Sequence, residues 1–116
     1  MAARGEILIE GIDVIIRRDL DKHKSLLERD NLNIQAFENS IASEIQRKKY
    51  YVKNKGQRNY SDDAMDKAIE QMRINITHLG DRLKITKQLR IQNTQIVDTL
   101  TVQLDEYYKQ LKNSKS

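Results

Sequence analysis

Residues Met65–Leu111 read MDKAIEQMRINITHLGDRLKITKQLRIQNTQIVDTLTVQLDEYYKQL, and their apolar residues recur every four then three positions for most of that length. One register passes through Met65, Ile69, Met72, Ile76, Leu79 and Leu83, then Thr86, Arg90 and Asn93, then Val97, Leu100, Leu104, Tyr107 and Leu111. A spacing that averages 3.5 residues keeps one stripe of a helix facing a partner helix, which is the seam of a left-handed coiled coil. The stretch therefore predicts a long helix that needs another helix beside it.

The upstream half supplies one. From Ile12 onward, Ile12, Ile16, Leu20, Leu27, Ile34, Phe37, Ile41 and Ile45 fall at helical intervals, with His23 and Asn31 filling the gaps. Spacings of three, four and four suggest an eleven-residue rhythm. Helix 1 is expected over about residues 12–54. Before it, Gly5 and Gly11 weaken a helix by up to about 1 kcal/mol each, and the surrounding Ile and Val also suit a short extended start. Between the halves, Lys53-Asn-Lys-Gly-Gln-Arg-Asn-Tyr-Ser61 is the one segment with turn chemistry. Gly56 can close a helix, while Ser61, Asp62 and Asp63 make a good helix start. The predicted order is helix 1, a turn at 55–61 and helix 2 over about 62–112, in a single domain of residues 1–116.

The predicted fold is all-α, a long antiparallel helical hairpin that pairs with another hairpin into a four-helix bundle. A break at Gly80 would instead give a three-helix bundle. A midpoint turn places residues whose numbers add to about 117 opposite each other: Ile45 with Met72, Ile41 with Ile76, Ile34 with Leu83, Leu20 with Val97, Ile16 with Leu100 and Ile12 with Leu104. It also matches His23 with Asn93 and Asn31 with Thr86, polar residues that fix register in a seam. Phe37 would face Leu79 and Gly80, giving that glycine a packing role.

Composition agrees with helices. The 116 residues include no Pro, 4 Gly, no Cys and 33% charged residues. Without Cys there are no disulfides or thiolate ligands. The most apolar stretch, Ile7–Ile16, is broken by Glu10, Gly11 and Asp13 and lacks a basic leader and cleavage site, so an intracellular, cytoplasmic protein is expected.

Two surfaces are candidates for function. Leu26, Leu32, Ile85, Leu89, Ile91 and Ile96 lie beside the seam and suggest an assembly face. The charge excess sits at the turn, where residues 47–60 carry six basic and no acidic side chains. There Arg47, Lys48, Lys49, Lys53, Lys55 and Arg58 alternate with Tyr50, Tyr51 and Tyr60. Cations interleaved with aromatics suit phosphates and stacked bases, and equally an acidic protein surface; a membrane is not expected.

Catalysis has no support in the motifs. There is no Gly-rich phosphate loop, no His-Glu-x-x-His and no serine in a nucleophile context. His23 with Asp19 one turn earlier is too small a set for a metal site, and no cofactor is expected. The sequence thus predicts a non-enzymatic coiled-coil scaffold or adaptor that binds a helical protein or its own copy through the seam and assembly face and makes contact through its basic tip. The alternatives are a nucleic-acid-binding arm and a small helical chaperone. Long helical hairpins of this size occur among prefoldin-type chaperone subunits and tubulin-binding cofactors, but no residue motif here identifies the chain with either, and shape alone does not imply function.

Overall fold

The computed structural model describes residues 2–55 and 62–115, with side chains over 11–55 and 62–114. Two helices account for nearly all of them: α1 spans Ala2–Lys53 and α2 spans Asp62–Lys115. The absence of Pro lets both run without interruption. The helix runs from Ala2 through Gly5 and Gly11 without a break, so the short extended start considered for that stretch does not form. It also continues through Gly80, which removes the three-helix alternative. A side-chain carbon built on Gly80 meets nothing within 4 Å, so the glycine accommodates no neighbouring ring.

Local chemistry explains the helix ends. At the close of α1, the Asn54 backbone N–H and side-chain Nδ2 both donate to the Tyr50 carbonyl, at 3.0 and 2.7 Å. This satisfies an acceptor that the end of a helix would leave unpaired. α2 opens with Asp62 and Asp63 in its first turn, where carboxylates favour the positive end of the helix dipole. Gly56 and Ser61, the predicted cap residues, and the rest of the predicted turn beyond Lys55 lie outside the described residues. Along α2 the hydroxyls of Thr77, Thr86, Thr94 and Thr101 donate to carbonyls one turn earlier, at 2.7–3.1 Å. That bond occupies the polar atom of a β-branched residue that otherwise suits helices poorly.

Contacts divide the chain into two units. The first joins Met1–Asp30 to Leu89–Ser116, and the second is Asn31–Gln88. In each, α1 and α2 run antiparallel, the predicted hairpin pairing. The first unit ties Asp30 to Asn93, Asp13 to Tyr108 and Arg17 to Tyr108. The second ties Glu38 to Lys87, Glu44 to Asn75 and Lys55 to Asp66. The numbers in these pairs add to between 119 and 125, whereas a turn at the chain midpoint would set them near 117. The register is therefore shifted from the predicted one, and Asn93 meets Asp30 instead of His23.

The α2 seam is the predicted one: every position from Met65 to Leu111 in that register is buried or half-buried. The α1 seam differs. Its covered positions are Asp13, Ile16, Leu20, His23, Leu27 and Asp30 in the first unit, and Ile34, Phe37, Ile41, Glu44, Lys48 and Tyr51 in the second. Both sets alternate three and four residues, a heptad and not an eleven-residue rhythm. Ile12 and Ile45 are exposed, and Asn31 lies beside the seam while Asp30 is 2% exposed within it. Among the described residues the buried apolar side chains are Leu20, Ile34, Met65 and Met72, each worth about 1.5–3 kcal/mol when removed from water.

Candidate interaction surface

The heptad of each helix defines two flanks beside the seam. With Asp13, Leu20, Leu27, Ile34, Ile41 and Lys48 at position a, the next seam residues Ile16, His23, Asp30, Phe37, Glu44 and Tyr51 stand at d. In α2, Leu83, Arg90, Val97, Leu104 and Leu111 stand at a, and Thr86, Asn93, Leu100 and Tyr107 at d. Positions e and g border this stripe on opposite sides. In an antiparallel pair e faces e and g faces g.

The e flank is polar and closed by side-chain ties. In the first unit the Arg17 guanidinium donates to the Tyr108 hydroxyl and lies 5.3 Å from the centre of its ring. That hydroxyl donates onward to Asp13 Oδ2 at 3.2 Å, and Arg17 also pairs with Asp13 at 3.7 Å. In the second unit Lys87 reaches Glu38 at 3.9 Å. In an antiparallel pair that contact sets Phe37, one residue before Glu38, level with Gln88, one residue after Lys87, and so away from Gly80.

The g flank has a different chemistry in each unit. In the first it carries Leu26 from α1 with Leu89 and Ile96 from α2, three of the predicted assembly residues, together with Ile12, Asp19, Gln103 and Gln110. Ile15 adjoins it at position c. In the second unit the same flank is an open polar cleft of about 710 Å³ lined by Asn39, Ser40, Ser43, Glu44, Asn75, His78, Leu79 and Arg82. Asn75 Nδ2 donates across it to Glu44 Oε2 at 3.4 Å. Of the other predicted assembly residues, Ile85 stands at position c in the second unit, Ile91 falls at b on the side of the e flank, and Leu32 falls at f on the back of α1. The heptad positions therefore bring together half of the predicted face.

The basic end is more neutralised than its composition suggests. Arg47 pairs with Glu44 at 3.0 Å and Lys55 with Asp66 at 2.6 Å. The Asp66 carboxylate holds the Lys55 ammonium above its ordinary pKa, by hydrogen bond first and by charge second. Lys48 is half-buried in the seam, where its charge adds to the hydrogen bond from Arg73 in holding Glu70 below the usual carboxylate value. The Arg73 guanidinium is raised in turn by Glu70, at 2.5–2.9 Å. Tyr51 is also half-buried, with Tyr50 edge-on to it at 5.8 Å and 65% exposed. Lys49 and Lys53 are exposed. Arg58 and Tyr60 lie outside the described residues.

Asp30 and Asn93 form the buried polar layer of the first unit. Asn93 Nδ2 donates to Asp30 Oδ2 at 2.9 Å, and Arg90 is half-buried one turn before Asn93. Asp30 was not legible as a site residue, because a carboxylate between charged neighbours reads as surface; the phase set by Leu20, Leu27 and Ile34 would have found it. His23 is half-buried and its Nδ1–H donates to the Asp19 carbonyl at 2.8 Å, so the backbone of Asp19, not its carboxylate, is the partner. Among the described residues no group of three or more His, Cys, Asp or Glu side chains could hold a metal ion, and no helix is long and apolar enough to cross a membrane. No protein-family model, curated protein or solved structure matches this chain.

Proposed function

We propose that this chain is a non-enzymatic coiled-coil scaffold or adaptor that works through helix-to-helix contact with another protein chain. The observation that carries this reading is the apolar surface left outside the seam. Two helices bury one stripe each, and beside it Ile12, Leu89 and Ile96, all at position g, remain 38–46% exposed. Single exposed apolar residues are ordinary on a protein surface. A recurrence at heptad spacing along the flank of an existing seam is different, because it repeats the pattern by which one helix recognises another. The paired cations at the basic end favour this reading over a nucleic-acid arm, since Arg47 and Lys55 would have to leave carboxylates to reach phosphates.

The test is lysine-directed cross-linking of the full chain in native extract, using isotopically light and heavy copies, alongside titration with a fluorescent single-stranded oligonucleotide. Cross-links joining the chain to another protein chain, its own copy or a different one, are expected, together with weak oligonucleotide binding. The reading is overturned if no chain-to-chain link forms and oligonucleotide binding falls steeply with salt and disappears on changing Lys48, Lys49, Lys53 and Lys55 to Gln.

A further inference from the structure

In the second unit the face beside the seam is formed by positions g and, outside them, c, and its chemistry is one-sided. On α1 these positions include Ser40, Ser43, Arg47 and Tyr50, and on α2 Asn75, His78, Arg82 and Ile85. Among the described residues of this unit no Asp or Glu stands at g or c; its carboxylates all stand elsewhere in the heptad. Glu44 at d is the carboxylate that lines the cleft, and it already accepts from Arg47 at 3.0 Å and from Asn75 at 3.4 Å. The Asn75 side-chain oxygen in turn accepts from Gln71 at 3.0 Å.

What the cleft leaves free is a set of donors. Ser40, Ser43, His78 and Arg82 line it, are exposed, and make no side-chain hydrogen bond or ion pair among the described residues. Ser40 faces Arg82 and Ser43 faces His78, both within the register that the observed contacts set. A guanidinium only donates, a hydroxyl can donate, and an imidazole offers an N–H in either protonation state. A carboxylate, which only accepts, satisfies all of them and pairs with a guanidinium through both oxygens. The cleft is open and polar, unlike the concave and mostly apolar sites that enclose a small molecule. It runs lengthwise between two helices, and beyond its ends stand Ile85, 61% exposed, and Tyr50, 65% exposed. Tyr50 is level with the turn around Met72, so these ends are roughly 20 Å apart, the length of about four turns of helix.

We propose that this face of the second unit docks an acidic helix of a different protein chain, one with carboxylates a turn apart between two apolar ends. Carboxylates four residues apart on that helix match the spacing of His78 and Arg82 on α2, and the Ser40 and Ser43 hydroxyls complete the donors from α1. The apolar ends seat against Ile85 and Tyr50, and Tyr and Arg are residue types on which interfaces concentrate their binding energy. A second copy of the chain fits worse. In an isologous contact the face meets itself, which sets Arg47 and Arg82 against their own kind with no free carboxylate to receive them. The proposal rests on the reading that the chain works through helix contact, and names the chemistry of the partner.

NMR titration of the isotopically labelled full chain tests it. The probe is a synthetic helical peptide of about five turns with Glu at i and i+4 between leucines at its ends, and the control peptide carries Gln for both Glu. The Glu peptide is expected to shift the amides of Ser40, Ser43, His78 and Arg82. Binding is expected to weaken about fivefold with the Gln peptide, and by a similar factor in the chain carrying His78→Gln with Arg82→Gln. That variant should keep its helical circular dichroism, because both side chains are exposed. Lys87→Gln, on the opposite flank, should leave binding unchanged. Equal binding of the two peptides, or no shift at these four residues, overturns the site. Shifts there on diluting the free chain would assign the face to a second copy, and shifts from an oligonucleotide but not from the peptide would assign it to nucleic acid; either overturns the acidic helix as occupant. If cross-links to another protein persist while the peptide moves none of these amides, the scaffold reading stands without this face.

Discussion

In the second unit Ile34, Met65 and Met72 are 4–5% exposed, whereas among the described residues the first unit buries one aliphatic side chain, Leu20, to 8% and one carboxylate, Asp30, to 2%. Both units keep the same three-and-four phase on α1 and α2. The same backbone geometry is therefore filled by two chemistries. Where apolar side chains meet, burial supplies the stability. Where Asp30 meets Asn93, a misaligned pair would leave a carboxylate without its donor, so the layer contributes specificity of register at some cost in stability. The flanks divide in the opposite sense. Unit two, with the apolar seam, has a polar cleft beside it, and unit one, with the polar layer, has the apolar flank.

The comparison breaks most visibly in the second unit. Ile34→Ala removes apolar volume from a position that is 5% exposed, and a loss of about 2–4 kcal/mol is expected. Ile34→Val should cost about 0.5–1.5 kcal/mol. Urea unfolding followed by helical circular dichroism reads both. A loss for the alanine variant no larger than that of the valine variant would mean that packing at this position is not what holds the unit.

In the first unit the sensitive pair is polar. Asn93→Leu withdraws the donor from a buried carboxylate and should cost about 1–3 kcal/mol. Combining it with Asp30→Leu should recover most of that loss, because a buried polar pair replaced on both sides by apolar groups is often neutral or stabilising. The double variant is also expected to lose uniqueness of register, seen as doubled methyl resonances of Leu20 and Leu27. A single set of resonances in the double variant would show that other contacts, such as Arg17 with Tyr108, fix the register alone.

These contrasts explain what the sequence made legible. The α2 seam was readable position by position, because ten of its fourteen residues are aliphatic, Met or Leu111-type side chains and the three polar members sit together at Thr86, Arg90 and Asn93. The α1 seam was harder, because Asp13, Asp30, Glu44 and Lys48 stand in it while Ile12 and Ile45 stand beside it. Hydrophobic patterning follows the isoleucines and slips by one residue at each. The shift in register came from the same cause, since a rule counted from the chain midpoint has no information about where side chains such as Asp30 and Asn93 meet. The basic end was legible as composition but not as chemistry: charge counting cannot see that Glu44 and Asp66 approach Arg47 and Lys55.

The smallest expected effect concerns two of the four glycines, Gly11 in the first unit and Gly80 in the second. Beyond the helix's own neighbouring backbone, neither Gly11 nor Gly80 has an atom within 4 Å of where a side-chain carbon would stand, and both lie inside a helix. Alanine at either position therefore fits without displacement and lowers the conformational entropy of the unfolded chain. Gly80→Ala should stabilise by about 0.5–1 kcal/mol, with the unfolding midpoint rising accordingly. Gly11→Ala should give less, because Gly11 lies nearer a helix end, where local opening costs little and the folded state gains less from a better helix former. A larger gain at Gly11 than at Gly80 would place the more strongly held turns of helix in the first unit, and so reverse the ranking that the buried Ile34, Met65 and Met72 imply.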